Sequence, residues 1–154
     1  MRTLVTIIGT FFYTGFFPVA PATFACLVFV LAYGLIPGGH ILAHPLVMLA
    51  TLVVSVPVSS RLEEYRGHDA SCIVIDEIVG MQLVLTMAAP TTPGIAVGFL
   101  FFRLFDIVKP YPISRSQLLP RGWGVVADDV LAGVYARILL IFVARFYSGL
   151  GTFV

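Results

Sequence analysis

Residues 3–60 contain no Asp, Glu, Lys or Arg, and this charge-free stretch covers more than a third of the chain. Over all 154 residues, 11% are charged and 59% are hydrophobic, whereas a soluble domain carries about 25% charged residues. The mean hydropathy is +1.02. A soluble chain of about 150 residues buries only about 68–70% of its unfolded surface, so it could not hide this much apolar area. The sequence therefore predicts an integral membrane protein with one domain, 1–154.

Turn-forming and charged segments divide the apolar sequence into candidate helices. Membrane spans are predicted at 21–36, 43–60, 71–89, 93–109 and 126–147. Residues 3–17 are expected to form an interfacial or re-entrant helix, because Gly9 and Pro18 weaken a continuous span. The predicted fold class is all-α: a polytopic membrane helical bundle with about five spans plus this N-terminal helix.

The cations are concentrated in two of the predicted loops. The loops at 61–68 and 109–124 carry five Lys and Arg residues between them, whereas those at 37–44 and 89–93 carry none. The positive-inside rule therefore places the N-terminus and both charged loops in the cytoplasm. The net charge of +1 also argues against a nucleic-acid partner, for which a basic surplus is expected.

Carboxylates recur near the cytoplasmic end of three predicted spans. They are Asp76 and Glu77 in the third span, Asp106 in the fourth, and Asp128 and Asp129 in the fifth. At a rise of about 1.5 Å per residue, all five come within roughly 10 Å of one interface. Acids at this depth are costly and repel one another, and a divalent cation relieves both problems.

Magnesium is the cation that this donor set favours. Mg²⁺ takes oxygen ligands and is commonly held by one or two carboxylates together with a substrate phosphate. No His or Cys is expected beside these acids, which argues against zinc. The five acids are therefore predicted to hold Mg²⁺, one of them activating water or attacking phosphorus. The alternative for Asp128 and Asp129 is simple capping of the fifth helix.

Cations suited to phosphate chemistry follow the same spacing. Arg103, Asp106 and Lys109 are separated by three residues each, which predicts one helical stripe. The alternative is an ion ladder with interfacial snorkelling. Small residues are also predicted to draw the acid-bearing turns together, with Gly80 on the third helix and Gly133 on the fifth. The sequence leaves open whether Arg137 pairs with an acid or snorkels.

Three motifs resemble those of the phosphatidylglycerophosphatase A family. They are Ile-Asp-Glu-Ile-Val-Gly-Met at 75–81, Phe-Arg-Leu-Phe-Asp-Ile-Val-Lys-Pro-Tyr-Pro-Ile at 102–113, and Gly-Trp-Gly-Val-Val-Ala-Asp-Asp-Val-Leu-Ala-Gly at 122–133. Residues 18–24, Pro-Val-Ala-Pro-Ala-Thr-Phe, resemble the family's Ala-Pro-Gly-Thr segment, with Ala22 in place of the usual Gly.

The resemblance implies a Mg²⁺-dependent phosphatase of the bacterial inner membrane with its active site facing the cytoplasm. Its substrate would be the membrane phospholipid phosphatidylglycerophosphate, hydrolysed to phosphatidylglycerol and phosphate. Arg103 and Lys109 would neutralise the phosphoryl oxygens, Arg115 would bind the headgroup, and Thr23 would contact the substrate. Asp69 matches an acid just upstream of the family's Asp-Glu pair and is a secondary candidate.

Two other functions are compatible with intramembrane acids. A cation or proton transporter uses such groups, but it predicts acids distributed along the depth of the bilayer. A CDP-alcohol phosphotransferase is a second alternative, although the stretch 129–137 echoes its motif only superficially and no later acid exists in the sequence.

Overall fold

The computed structural model describes residues 2–67 and 70–153, except for the side chains of Ser148 and Phe153. The described chain is mostly helical, which confirms the all-α class. The α-helices are α1 (Arg2–Gly9), α2 (Pro21–Leu35), α3 (Pro45–Arg66), α4 (Ile75–Leu85), α5 (Thr92–Val108), α6 (Ile113–Ser116) and α7 (Gly122–Phe146). Short 3₁₀ turns occur at Thr14–Phe16, Gly39–Ala43 and Ser148–Leu150. Strands β1 (Ala88–Pro90) and β2 (Gly151–Phe153) pair antiparallel.

Each of the five predicted spans overlaps one of the long helices, α2, α3, α4, α5 or α7. The predicted end of the second span at residue 60 was wrong, since α3 continues to Arg66 through most of the predicted loop. Among the described residues, only α3, with 22 residues, is both long and apolar enough to cross a membrane. The 11 residues of α4 rise about 16 Å, roughly half of a 30 Å hydrocarbon core. The prediction that five helices cross a bilayer therefore remains a prediction, as does the single domain.

The N-terminal helix is shorter than predicted, because α1 ends at Gly9 and not near residue 17. A Cβ at Gly9 would lie 2.2 Å from Leu62 Cδ1, so the glycine lets α1 pack directly on α3. The Gly9 carbonyl accepts a hydrogen bond from the Val74 amide (2.9 Å). Phe11, Phe12 and Tyr13 then adopt positive φ angles of 42°, 56° and 67°, which turn the chain.

The predicted start of the third span at residue 71 was wrong, since α4 begins at Ile75. The Val74 amide donates a hydrogen bond to the Gly9 carbonyl oxygen. This bond holds Val74, the residue just before Ile75, outside the helix. Asp76 and Glu77 consequently lie in the first turn of α4, where the helix dipole favours negative charge.

The fifth helix begins earlier than predicted, at Gly122 and not at 126. Gly122 donates its amide to Ser60 Oγ (3.1 Å), and a Cβ there would lie 2.4 Å from the Val56 carbonyl oxygen. This close approach to α3 supports an early start despite the helix-weakening glycine. Asp128 and Asp129 therefore lie well inside α7, and the capping interpretation was wrong.

The core lies where α2, α4, α5 and α7 meet. Phe29, Ile78, Met81, Phe102 and Leu140 are each at most 2% exposed. A smaller cluster joins α3 to the start of α4. Both clusters adjoin the acid-bearing turns, so the site is supported by packed side chains on several helices.

Candidate functional site

The first element of the site is the opening turn of α4, which presents Asp76 and Glu77. Their exposed fractions are 5% and 9%. Burying carboxylates in this way is costly unless they find a partner. The first-turn position supplies part of the compensation through the positive end of the helix.

The second element is the crossing of α4 and α7. A Cβ on Gly133 would lie 2.6 Å from the Gly80 carbonyl oxygen, and one on Gly80 would lie 2.8 Å from the Asp129 carbonyl oxygen. The two backbones are therefore in direct contact, as the small residues predicted. This crossing brings Asp129, which is 3% exposed, beside the first turn of α4.

These elements place three carboxylates together. One oxygen each from Asp76, Glu77 and Asp129 lies within 4.8 Å of the others. Within the described chain, Asp76 Oδ1, Glu77 Oε2 and Asp129 Oδ1 are buried without a hydrogen-bond partner. Three buried anionic groups with orphaned oxygens repel one another, and an all-oxygen donor set of this kind fits a hard divalent cation such as Mg²⁺.

Asp106 and Arg103 flank this cluster from α5. Arg103 Nη1 lies 2.7 Å from Asp106 Oδ2, and the two side chains are 13% and 12% exposed. Asp106 is also within hydrogen-bonding reach of Asp129. Arg103 Nε is buried with no hydrogen-bond partner in the described part of the chain. The guanidinium therefore keeps a donor that can bind an oxyanion beside the carboxylates.

Asp128 binds the loop after α5. Its Oδ2 accepts hydrogen bonds from Lys109 Nζ (2.6 Å) and Gln117 Nε2 (2.9 Å). Lys109 is the residue that ends α5, with a φ of 46°, so it leaves the predicted stripe of Arg103 and Asp106. Asp128 thus anchors the cationic loop next to the site, and its predicted role as a metal ligand stays a prediction.

The family model for phosphatidylglycerophosphatase A matches residues 7–144. The chain belongs to this family. It is 31% identical to phosphatidylglycerophosphatase A of Escherichia coli, over 87% of this chain and 80% of the relative. The Haemophilus influenzae enzyme of the same name is 41% identical over 52% of this chain and 50% of its own length.

A third relative carries a different substrate in its name. A Bacteroides thetaiotaomicron protein, provisionally named a phosphatidylinositol-3-phosphatase, is 38% identical over 95% of this chain and 96% of its own length. No solved structure matches the chain significantly. The family and its relatives together make this chain a lipid phosphatase.

Of the remaining predicted residues, Thr23 and Arg115 belong to the part of the chain that the structure describes, and Asp69 does not. Thr23 is half-buried in the first turn of α2, three residues before Cys26. Arg115 is exposed, and its guanidinium carbon lies 5.4 Å from the centre of the Tyr111 ring. Asp69 lies outside the described residues, so its role as a secondary site residue stays a prediction.

Cys26 is a site neighbour that sequence reasoning missed, and the expectation that no cysteine accompanies the acids was wrong. The side chain is completely buried, and its Sγ donates toward the Glu77 carbonyl oxygen at 3.9 Å. Cys26 is 51 residues from Glu77 in sequence and sits in an apolar run, so no local signal could have found it. The carboxylate trio nevertheless offers only oxygen ligands.

Arg137 donates hydrogen bonds to backbone carbonyl oxygens of α4 and of the residue that follows it. Its Nη1 lies 3.1 Å and 3.3 Å from the carbonyl oxygens of Leu83 and Val84, and it also contacts the Thr86 carbonyl. These carbonyls are at the C-terminal end of α4, where a cation is favoured by the helix dipole. Arg137 therefore closes the end of α4 that is opposite to the carboxylates.

Proposed function

We propose that this lipid phosphatase hydrolyses phosphatidylglycerophosphate to phosphatidylglycerol and phosphate, with Mg²⁺, at the cytoplasmic face of the bacterial inner membrane. The observation that carries the proposal is the buried trio of Asp76, Glu77 and Asp129, each with an orphaned oxygen. Two of the relatives are named for the same reaction.

The carboxylate trio would hold the metal, with Asp106 beside it and Asp128 anchoring the adjacent loop. Mg²⁺ bound there would offset the charge that develops on the phosphoryl oxygens. The backbones of α4 and α7 are in contact at Gly80 and Gly133. This contact keeps the acids on the two helices preorganised.

The cations supply the phosphate contacts. Arg103 has a buried Nε–H available for a phosphoryl oxygen, while its pair with Asp106 fixes the guanidinium. Lys109, which is 28% exposed and bound to Asp128, is within reach of a substrate in the loop region. Arg115 is exposed and suited to a second phosphate of the headgroup, and Thr23 would contact the substrate from α2.

Surface chemistry supports the proposed placement in the membrane. Large apolar side chains stand more than 60% exposed on four helices: Leu35, Leu46, Val53, Leu100, Ile107 and Phe142. Such a surface is costly in water and favourable in hydrocarbon. Arg61 and Arg66 lie at the end of α3 that packs on α1, and the cationic loop after α5 adjoins the carboxylates, which supports a cytoplasmic orientation.

The transporter alternative has less support. In the described part of α4 and α7 the acids occupy one end, and beyond them Ala132, Ala136 and Leu140 are apolar and fully buried. Gln82, a buried polar side chain of α4, donates a hydrogen bond to the Leu42 carbonyl oxygen (2.8 Å). A path for ions would need a continuous line of polar groups along this length.

The test is phosphate release by the purified protein in detergent micelles. Phosphatidylglycerophosphate and phosphatidylinositol 3-phosphate are assayed side by side, each with Mg²⁺ and with EDTA. We expect release from phosphatidylglycerophosphate that requires Mg²⁺ and exceeds release from the inositol lipid. Preferential cleavage of the inositol lipid would overturn the substrate assignment, and full activity in EDTA would overturn the metal assignment.

A further inference from the structure

A second concave feature lies away from the carboxylates. It is a cavity of about 820 Å³ between α2 and α5, within the size range of ligand pockets. Leu27, Leu31 and Gly34 line it from α2, and Ile95 and Phe99 line it from α5. We call this cavity the α2–α5 groove. Its walls are mostly apolar, and the phosphate chemistry described above makes no use of it.

The groove begins beside the site. Leu27 directly follows Cys26, whose thiol is 3.9 Å from the Glu77 carbonyl oxygen. On the other wall, Phe99 is four residues, or about 6 Å, before Arg103. A molecule whose phosphate lies at Arg103 therefore has the mouth of the groove about one helical turn away.

The groove runs along α2 away from the site. Its α2 wall, from Leu27 to Leu35, rises about 12 Å, and the groove begins about one helical turn, or 6 Å, from Arg103. Its far end is bordered by His40, Ala89 and Thr92, in the two cation-free loops that the predicted topology places at the opposite membrane face. The groove thus offers an apolar path that starts near headgroup level on the side of the site and follows the direction of an acyl chain.

We propose that the α2–α5 groove binds one acyl chain of the lipid substrate; this inference rests on the function proposed above. Lipid tails are as apolar as the groove, so the chain gains little free energy by leaving the bilayer. The benefit is orientation, because a fixed chain limits where the phosphomonoester can lie relative to Arg103 and the carboxylates.

The test fills the groove from each wall separately. Ala96 on α5 is exposed and lines the groove, so Ala96→Phe places a ring inside it. Gly34 on α2 is also exposed and lines the groove, and a Cβ there meets only Ile95 Cδ1, at 3.7 Å, so Gly34→Leu starts from an unstrained Cβ and extends a side chain into the groove. The matched control is Leu100→Phe, which adds a ring to the outer face of α5, outside the groove lining.

Each variant is assayed with diacyl phosphatidylglycerophosphate and with its deacylated headgroup, glycerophosphoglycerophosphate. We expect kcat/KM for the diacyl lipid to fall at least about tenfold in both groove variants, since a misplacement of about 1 Å can cost about 100-fold. Activity on the deacylated substrate should stay unchanged, as should both activities of Leu100→Phe. Thermal unfolding of each variant checks that it is folded.

The outcomes separate this inference from the proposed function. Equal loss on both substrates, or equal loss in Leu100→Phe, would overturn the acyl-chain assignment while leaving the phosphatase intact. Unaltered diacyl activity in two folded groove variants would overturn it as well. Failure of the unaltered protein to cleave phosphatidylglycerophosphate would instead overturn the proposed function.

Discussion

Charged side chains lie at both ends of α4, where it packs against α7, and the two ends differ in how that charge is satisfied. At one end, Arg137 lies against the carbonyl oxygens of Leu83, Val84 and Thr86. At the other end, the trio of Asp76, Glu77 and Asp129 has one orphaned oxygen on each residue. Buried polar groups in folded proteins are nearly always hydrogen-bonded, so the orphaned oxygens are the exception.

This difference separates a structural charge from a functional one. The Arg137 guanidinium donates to carbonyl oxygens at the C-terminal end of α4, and this structural role requires no bound ligand. The carboxylates are held close together despite their repulsion, at the expense of stability, which is the usual mark of a site built for a ligand. Substitutions at the two ends should therefore affect different measurements.

The largest effect is expected from Asp129→Asn. The variant keeps the shape of the side chain and removes one anionic ligand, so kcat/KM should fall by about 10²–10³-fold. Without Mg²⁺ the variant should unfold at the same temperature as the unaltered protein or higher, because one repulsive charge is gone. Phosphate release and thermal unfolding are the measurements.

The matched control for this variant is Glu64→Gln, which neutralises an exposed acid at the end of α3. It should leave both measurements unchanged. Near-normal activity of Asp129→Asn would show that the carboxylate trio takes no part in the chemistry. The functional difference between the trio and Arg137 would then be wrong.

A smaller effect is expected from Gly133→Ala, which tests how the crossing of α4 and α7 positions the acids. The added methyl would lie 2.6 Å from the backbone oxygen of Gly80, which cannot move without shifting α4. Overpacking of this kind typically lowers the free energy of unfolding by about 1–3 kcal/mol. Activity should fall as well, since Asp129 is one turn from the crossing.

Gly34→Ala is the control, because its methyl meets only ordinary contact at 3.7 Å and alanine favours the helix. Denaturant unfolding should show a gain or no change there and a loss in Gly133→Ala. Equal stability of the two variants would show that the backbones of α4 and α7 are not in contact.

The smallest effect on activity is expected from Arg137→Met. Loss of the guanidinium leaves carbonyls at the end of α4 without their donor, so the free energy of unfolding should fall by about 1–3 kcal/mol. The kcat/KM of the folded protein should stay within about twofold of the original, because the carboxylates at the other end of α4 are untouched.

Arg145→Met, at an exposed position in the last turn of α7, is the control and should change neither quantity. A large loss of activity in Arg137→Met without loss of stability would mean that this arginine takes part in the chemistry.

The helices could be predicted because long apolar runs bounded by Pro, Gly and charge identify them locally. The starts of α4 and α7 could not be predicted, since they depend on distant partners: the Gly9 carbonyl delays α4, and Ser60 supports the early start of α7. The same limit explains why predicted membrane spans and observed helix lengths differ most for α4.

The convergence of acids could be predicted from their common depth on three helices. Which of them meet could not, because it depends on side-chain direction at the crossing of α4 and α7. Gln117, which binds Asp128, and Cys26, beside Glu77, carry no periodic pattern that marks them. Single polar or thiol side chains reveal their role only after the chain is folded.

The attachment of α4 to α7 at two separated points has a mechanical consequence. The glycine contact fixes the middle of α4 and the Arg137 hydrogen bonds fix its C-terminal end, so neither sliding nor rotation of one helix along the other is free. We expect the two helices to behave as a rigid body. If α4 and α7 do not move, the site must open through a movement of α2 and α5. This movement would let a lipid enter and its dephosphorylated product leave.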